Sequence, residues 1–303
     1  MNRNKSLLKM AAAVFLFGTI GIFRRWIPIS SPMLAFVRGA VGACFLMILQ
    51  LIGSRKKRQD TNKKDQPSSL PLWKKLLWFG VPGIFIGLNW VLLFEAYRFT
   101  TVAVATLCYY MAPTFVILLS PIFLKEKLTA KQLVLAAIAL VGMVLVSGVT
   151  SGESVQLTGI VFGLGAAAFY AGQVLCSKKA PVIDVYERTV IELLFAALCL
   201  LPYLLLSREF TSAEISMKTV GLLLFVGIVH TGITYALYFD GMQGLKAQTV
   251  ALLSYLDPVV ALMLSWLVLD ERLSWTAVLG AVLILGSAAA GEIKLKKRKR
   301  EPM

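Results

Sequence analysis

Charged residues are scarce in this 303-residue sequence, at 16% of the chain, whereas the residues AVILMFWYC make up 58%. A soluble domain of this length carries roughly 25% charged residues, which cover its surface. The mean hydropathy of +0.76 agrees with that shortage. The composition therefore argues against a water-soluble globule and favours a chain with many lipid-facing helices.

Groups for metal binding and catalysis are also few. Histidine occurs once, at His230, and the four cysteines show no metal-ligand spacing. A phosphate-binding P-loop and a G-x-S-x-G nucleophile motif are both absent from the sequence. We therefore predict no catalytic residues, no metal and no cofactor, and we regard an intramembrane enzyme or an ATP-driven pump as the weaker hypotheses.

The net charge of +15 would suggest a nucleic-acid partner if the protein were soluble. Here the cations lie almost wholly in the breaks between apolar runs. No basic stripe alternates with aromatic residues, as a stacking platform for bases would require. We therefore predict no nucleic-acid partner.

Apolar runs long enough to cross a membrane recur along the whole sequence. A transmembrane helix needs about 20 such residues, and the alternating pattern of a membrane β-barrel is absent. We predict an all-α integral membrane protein with ten transmembrane helices. The predicted spans are approximately 7–23, 32–53, 76–97, 102–124, 131–149, 157–177, 186–206, 217–239, 247–269 and 275–293.

The distribution of Lys and Arg between the loops predicts the orientation in the membrane. If the N-terminus is inside, the inside segments hold 23 of these cations and the outside segments hold six. Cytoplasmic loops carry the excess of positive charge in membrane proteins. We therefore predict that both termini are cytoplasmic, together with a basic loop at 54–75 and a basic tail at 295–303.

An internal repeat divides the sequence into two halves of five spans, 1–150 and 151–294. A shift of 145 residues aligns 107–129 with 252–274, with eight of 23 positions identical. Because five is odd, the second copy must be inverted in the membrane, an architecture typical of secondary transporters. The distinctive identities are Tyr110/Tyr255, Pro113/Pro258, Ser120/Ser265 and Glu126/Glu271.

The repeated motif resembles a known family. Helices that contain a proline and end in LKEKLT and LDERLS, with five spans per half, are similar to the EamA-type members of the drug/metabolite transporter superfamily. Phe17-Gly18 stands where that family often has Trp-Gly, and Phe36-Val37-Arg38 resembles its Phe-x-Arg element. The resemblance implies a polar-metabolite transporter of the plasma membrane, often an exporter.

The predicted function is a secondary transporter, an exporter or exchanger, for a small polar metabolite such as an amino acid. Inverted halves imply alternating access around a site near the membrane midplane. The alternative is a non-transporting membrane receptor or assembly protein, which would not need an inverted repeat. The expected partners are a small-molecule substrate and the lipid bilayer, while proton coupling and a homodimer are left open.

Asp257 is the first candidate for function, because an ionisable residue inside a span costs roughly 2.5–3.5 kcal/mol to insert. It lies near the middle of the ninth span, directly before Pro258, which leaves a backbone carbonyl free. Its counterpart at the shift of 145 is Ala112, so the acid occurs in one half only. We interpret Asp257 as a substrate or proton site, the alternative being a carboxyl that packs two helices together.

Other polar and aromatic residues within the spans are candidates for the walls of a substrate site. His230 suits proton transfer, and Asn89-Trp90 corresponds to Thr234-Tyr235 at the shift of 145. Packing is the competing interpretation for each of them. The predicted substrate-binding residues are Asn89, Trp90, Tyr109, Tyr110, His230, Thr234, Tyr235, Tyr255 and Asp257.

One arginine lies within the second span of each half, and a shift of 150 residues places Arg38 on Arg188. Arg188 and Glu192 are spaced i,i+4 and can neutralise each other, whereas Arg38 must find its partner on another helix. We predict that both guanidinium groups are paired, because five donors are costly to leave unsatisfied at that depth. Either could hold a substrate carboxylate, so the coupling or ion-pair candidates are Asp257, Arg38, Arg188 and Glu192.

The two glutamates of the repeated motif are interpreted as structural. Thr129 and Gln132 have the spacing of a helix-capping box, and Ser274 is the equivalent cap in the second half. An acid just ahead of a helix N-terminus also complements the helix dipole. We therefore assign Glu126 and Glu271 to the starts of the helices that follow them.

Overall fold

The computed structural model describes residues 3–59, 70–100, 102–147, 157–207, 216–269 and 274–292. The predicted basic tail, residues 60–69 of the predicted basic loop, and Glu271 lie outside the described residues.

Every regular element in the described residues is helical, which confirms the all-α prediction. Thirteen α-helices and one π-helical segment cover this part of the chain. They are α1 (Arg3–Trp26), α2 (Ser31–Gln59), α3 (Leu72–Phe99), α4 (Val102–Tyr109), α5 (Ala112–Leu124), α6 (Ala130–Ser147), α7 (Leu157–Lys179), α8 (Val185–Ser207), α9 (Met217–Phe225), the π segment (Val226–Ile233), α10 (Thr234–Gln243), α11 (Ala247–Ser254), α12 (Leu256–Leu269) and α13 (Trp275–Glu292).

Six helical segments in the described residues are long and apolar enough to cross a membrane. Two further apolar helices, Ala130–Leu145 and Val278–Ser287, are shorter. Large apolar side chains are strongly exposed on the outer faces, for example Leu206 at 86% and Trp275 at 88%, as lipid contact requires. The six segments are Ser31–Ile52, Leu72–Phe99, Val104–Leu124, Leu157–Lys179, Val185–Ser207 and Met217–Gln243.

Two of the predicted spans are interrupted near their middles. A two-residue turn separates α4 from α5, and the single residue Tyr255 separates α11 from α12. Pro113 and Pro258 lie in the first turns of α5 and α12, where a missing backbone N–H is tolerated. Helix α11 begins and ends 145 residues after α4, and helix α13 begins and ends 145 residues after α6.

The two halves interleave rather than packing as separate bundles. Helix α3 packs against α7 and α8, α2 packs against α8 and the π segment, and α1 packs against α10 and α12. Glycines permit these close approaches: a Cβ on Gly83 would lie 2.5 Å from the carbonyl oxygen of Glu192, and one on Gly18 would lie 2.9 Å from that of Asp257. Small residues at such contacts let membrane helices approach closely.

Candidate functional site

Three adjoining cavities lie among the helices that surround the two interruptions. The deep cavity, of about 30 Å³, includes Tyr110 and Asp257 in its lining. The middle cavity has the same volume and includes Asn89, and the wide cavity, of about 510 Å³, includes Arg38. Tyr109 lines all three. The three cavities are therefore neighbours that share the Tyr109 side chain.

Tyrosine dominates this lining. Six of the nine tyrosines of the chain contribute to it, so the walls offer both ring faces and hydroxyl groups. The hydroxyl groups of Tyr170 and Tyr238 lie 3.0 Å apart. Such walls suit a small molecule with apolar and polar parts. The six are Tyr97, Tyr109, Tyr110, Tyr170, Tyr235 and Tyr238.

Asp257 lies in the first turn of α12 and lines the deep cavity. The hydroxyl of Tyr110 donates a hydrogen bond of 3.1 Å to its Oδ2 atom. The N-terminus of a helix favours a negative charge in its first turn. The acid is thus held at the interruption between α11 and α12, where it can bind a proton or a cation from the cavity.

Arg38 lines the wide cavity, with its guanidinium carbon 4.7 Å from the centre of the Trp90 ring. Its Nε atom is buried and makes no hydrogen bond. No carboxylate in the described residues pairs with it. The structure therefore differs from the prediction of an ion pair, because the partner of Arg38 is an aromatic face.

The charge of Arg188, unlike that of Arg38, is neutralised by a carboxylate within the protein. Its Nε donates to Oε1 of Glu192 at 2.8 Å, and both side chains are almost completely buried. Glu192 also accepts hydrogen bonds from Gln173 and Ser177. The predicted neutralisation of Arg188 by Glu192 is confirmed, and neither residue lines the three cavities.

His230 lies in the π segment, away from the linings of the three cavities. Its Nε2 atom is 2.6 Å from the hydroxyl oxygen of Thr19, and its ring packs against Phe23 and Phe225. Its buried Nδ1 atom has no hydrogen-bond partner. The structure therefore places His230 in an aromatic packing layer between α1 and the π segment.

Three other predicted residues hold helices in place. The Asn89 amide donates to the carbonyl oxygen of Ala166 at 2.7 Å, which links α3 to α7 beside the middle cavity. The Tyr255 hydroxyl lies 2.7 Å from that of Thr114, which links α11–α12 to α5. Thr234, the first residue of α10, donates to the carbonyl oxygen of Val229 in the π segment at 2.8 Å. Tyr255 and Thr234 do not line the three cavities.

Several lining residues were missed as binding candidates. Phe17, from the Phe17-Gly18 element, lines the deep and middle cavities. Tyr238 is one helical turn beyond Tyr235, a spacing that could have identified it. Tyr170 and Gln173 carry no comparable signal in the sequence, since their positions depend on how α7 rotates against α3.

Polar contacts between the two halves cluster where α11 begins. The Gln248 amide donates to the Ser120 hydroxyl at 2.9 Å, and Lys9 forms an ion pair with Asp240. Glu126 accepts a hydrogen bond of 3.0 Å from the backbone N–H of Ala247. These contacts close the end of the bundle opposite to the wide cavity.

Glu126 therefore has a partner other than the predicted one. The capping box of α6 is confirmed, because Thr129 and Gln132 exchange hydrogen bonds between side chain and backbone. The Glu126 carboxylate turns away from α6 and reaches the first residue of α11, in the other half. Its favourable interaction with a helix N-terminus is thus made across the interface between the halves.

Comparisons with known proteins agree with this architecture. A sequence model of the EamA-like transporter family matches residues 4–148 and 157–290. The chain is 29% identical over 290 residues to the uncharacterized transporter YxxF of Bacillus subtilis, covering 95% of this chain and 89% of that protein. It is 26% identical to protein PecM of Dickeya dadantii, covering 89% and 86% of the two chains.

One solved crystal structure also shares the fold. It superposes with a TM-score of 0.78 at 19% sequence identity, over 96% of this chain and 97% of that chain. The family match extends over both halves and includes every helix that lines the three cavities. The chain therefore belongs to the EamA-like transporter family and is a multi-pass membrane transporter.

Proposed function

We propose that this protein is a secondary transporter that exports or exchanges a small polar metabolite, such as an amino acid, by alternating access. The observation that carries the proposal is the tyrosine-lined cavity at the interruptions of α4–α5 and α11–α12, with Asp257 facing into it. Secondary transporters place their sites at discontinuous helices near the midplane. No phosphate-binding loop for ATP occurs in the sequence.

The proposal includes ten spans in two inverted halves. The helix bounds that repeat at an offset of 145 residues support it, as do the two separate matches to one family model. In this arrangement α4–α5 and α11–α12 are equivalent spans of opposite direction. Their interruptions would then lie side by side at the midplane, beside the deep cavity.

Alternating access would require the polar contacts at the α11 end to open. The wide cavity reaches Ser31, at the start of α2, and Tyr97, near the end of α3. The bonds from Glu126 and Gln248 lie at the opposite end. We infer that the described conformation admits substrate from the side where α2 begins, and that breaking these bonds opens the other side.

Both termini are expected to be cytoplasmic in the plasma membrane, with the α11 end of the bundle facing the cytoplasm. The reason is the 23-to-six distribution of Lys and Arg between the two sides. Reporter fusions at residue 60 and at the C-terminus should both give cytoplasmic signals. A fusion at residue 209, in a predicted outside loop, is the matched control and should give the opposite signal. An external signal at either terminus would overturn the orientation.

Binding followed by counterflow tests the transport proposal directly. Purified protein is screened for thermal stabilisation by amino acids, nucleosides, vitamins and organic cations, because a ligand that binds the folded state raises its apparent stability. Each stabilising compound is then loaded into proteoliposomes and exchanged against its labelled form. We expect protein-dependent uptake of at least one compound. Binding without uptake of any bound compound would favour the receptor alternative.

A further inference from the structure

The unneutralised charge of Arg38 distinguishes the wide cavity from the rest of the interior. Its guanidinium rests on the Trp90 ring, and its buried Nε donor is unused. Among the described residues that line this cavity none is acidic, and Ser31, Tyr97 and Tyr109 contribute hydroxyl groups to the lining. A cation held in this way has no counterion among the described residues, so an anion that enters the cavity can supply one.

In the second half, the charge of the corresponding residue, Arg188, is neutralised by a carboxylate. Four residues after Arg188 stands Glu192, which neutralises it. Four residues after Arg38 stands Gly42, and a Cβ there would lie 2.9 Å from both the carbonyl oxygen of Gly227 and the backbone nitrogen of Gly232. Close packing of α2 on the π segment therefore disfavours any side chain at Gly42, and with it a carboxylate at the position that corresponds to Glu192.

The wide cavity has the size and the polarity for a small organic anion. Its volume of about 510 Å³ falls within the range of roughly 300–1,000 Å³ that is usual for small-molecule sites. A guanidinium offers two parallel donors to a carboxylate or a phosphate, which lysine cannot do. The Trp90 ring lies 4.7 Å from the guanidinium carbon, and the buried Nε atom has no hydrogen-bond partner in the protein.

From these contacts we infer that Arg38 is the anion-binding residue of the transport site, and that the substrate carries a carboxylate or phosphate group. This inference rests on the proposed function and assigns its substrate class: an organic anion or a zwitterion. Arg38 holds the anionic group and Trp90 orients the guanidinium. Arg188 takes no part, because its charge is already neutralised inside the protein.

A first experiment needs no ligand and compares Arg38→Gln with the matched variant Arg188→Gln. A binding-site cation without an internal counterion adds little to stability, so Arg38→Gln should unfold at the wild-type temperature or above it. Arg188→Gln leaves Glu192 buried without its partner and should unfold at a clearly lower temperature. An Arg38→Gln protein that loses as much as Arg188→Gln would make Arg38 structural and overturn the inference.

A second experiment uses matched probes: amino acids, dicarboxylates and sugar phosphates, each beside its amide, ester or dephosphorylated form. We expect the compounds that stabilise the wild-type protein to be anions or zwitterions. Arg38→Gln should weaken their binding by about tenfold or more, since hydrogen bonds to charged groups are worth about 1.5–3 kcal/mol, and Arg38→Lys should recover part of it. Arg98→Gln removes an exposed arginine from the same end of the bundle and should change nothing.

The inference is overturned if the uncharged forms bind as well as the acids, if Arg38→Gln binds the acids with unchanged affinity, or if no anionic probe binds at all. The carboxylate and phosphate series separate the two chemistries that a guanidinium accepts. An anion that binds through Arg38 without being transported would refute the proposed transport and leave the assignment of Arg38 intact.

Discussion

Asp257→Asn is expected to reduce transport by about tenfold to a hundredfold and to remove its dependence on pH. The substitution keeps the size of the side chain and its hydrogen bond from Tyr110, but it removes the charge that we interpret as the proton or cation site. A hydrogen bond to a charged group is worth about 1.5–3 kcal/mol, which corresponds to that range of rates. Initial rates of uptake into proteoliposomes across a pH series measure both effects.

Two control variants separate the charge of Asp257 from other effects. Tyr110→Phe removes the hydrogen bond and keeps the acid, so it should lower the rate less than Asp257→Asn does. Asp184→Asn makes the same chemical change at the start of α8, where Asp184 accepts backbone N–H bonds and asparagine caps equally well. It should transport normally. Wild-type rate and pH dependence in Asp257→Asn would show that the acid is structural.

Glu192→Leu is expected to lower the free energy of unfolding by about 3–5 kcal/mol, because it leaves the Arg188 charge buried without a partner. The guanidinium would keep only the Phe79 and Phe239 rings and one long bond to the Ser177 carbonyl. Thermal unfolding of the purified protein in detergent measures the loss. The double variant Arg188→Met with Glu192→Leu should recover most of it, since a buried pair can often be replaced by apolar residues.

The pair of Arg98 and Glu95, in which the arginine is exposed, provides the control for this stability effect. The Arg98 side chain is 67% exposed, and exposed ion pairs contribute about 0–1 kcal/mol. Arg98→Leu should therefore shift the unfolding temperature far less than Glu192→Leu. If the two single variants lose the same stability, or if the double variant is no better than Glu192→Leu, the buried pair is not a major source of stability.

Local patterns in the sequence predicted the helical segments, but not the interruptions of the spans at 102–124 and 247–269. Each predicted span overlaps one described helix or a run of consecutive helical segments, because long apolar runs can satisfy their backbone groups in lipid only as helices. The positions of Pro113 and Pro258 in the first turns of α5 and α12 are a finding of the structure, and they agree with the tolerance of proline in a first turn. Thr129 and Gln132 likewise formed the predicted cap.

Contacts between distant residues could not be predicted in the same way. The bond from Glu126 to the start of α11 joins residues 121 positions apart, and the bond from Tyr110 to Asp257 joins residues 147 apart. Short-range spacing gave Glu126 a partner in its own half, on α6. In the tertiary structure the interleaved halves bring the start of α11 within hydrogen-bond distance of the Glu126 carboxylate.

The sequence by itself thus determined the helical segments, the repeat and the family, while the tertiary structure decided which side chains share the cavities. The physical reason is that both the lipid and the protein interior are apolar, so a membrane helix carries little periodic signal for the face it turns inward. Arg38 and Arg188 look equivalent in the sequence. Only the tertiary structure shows that Arg188 is neutralised by Glu192 in the core, whereas Arg38 lines a cavity without an acidic partner among the described residues.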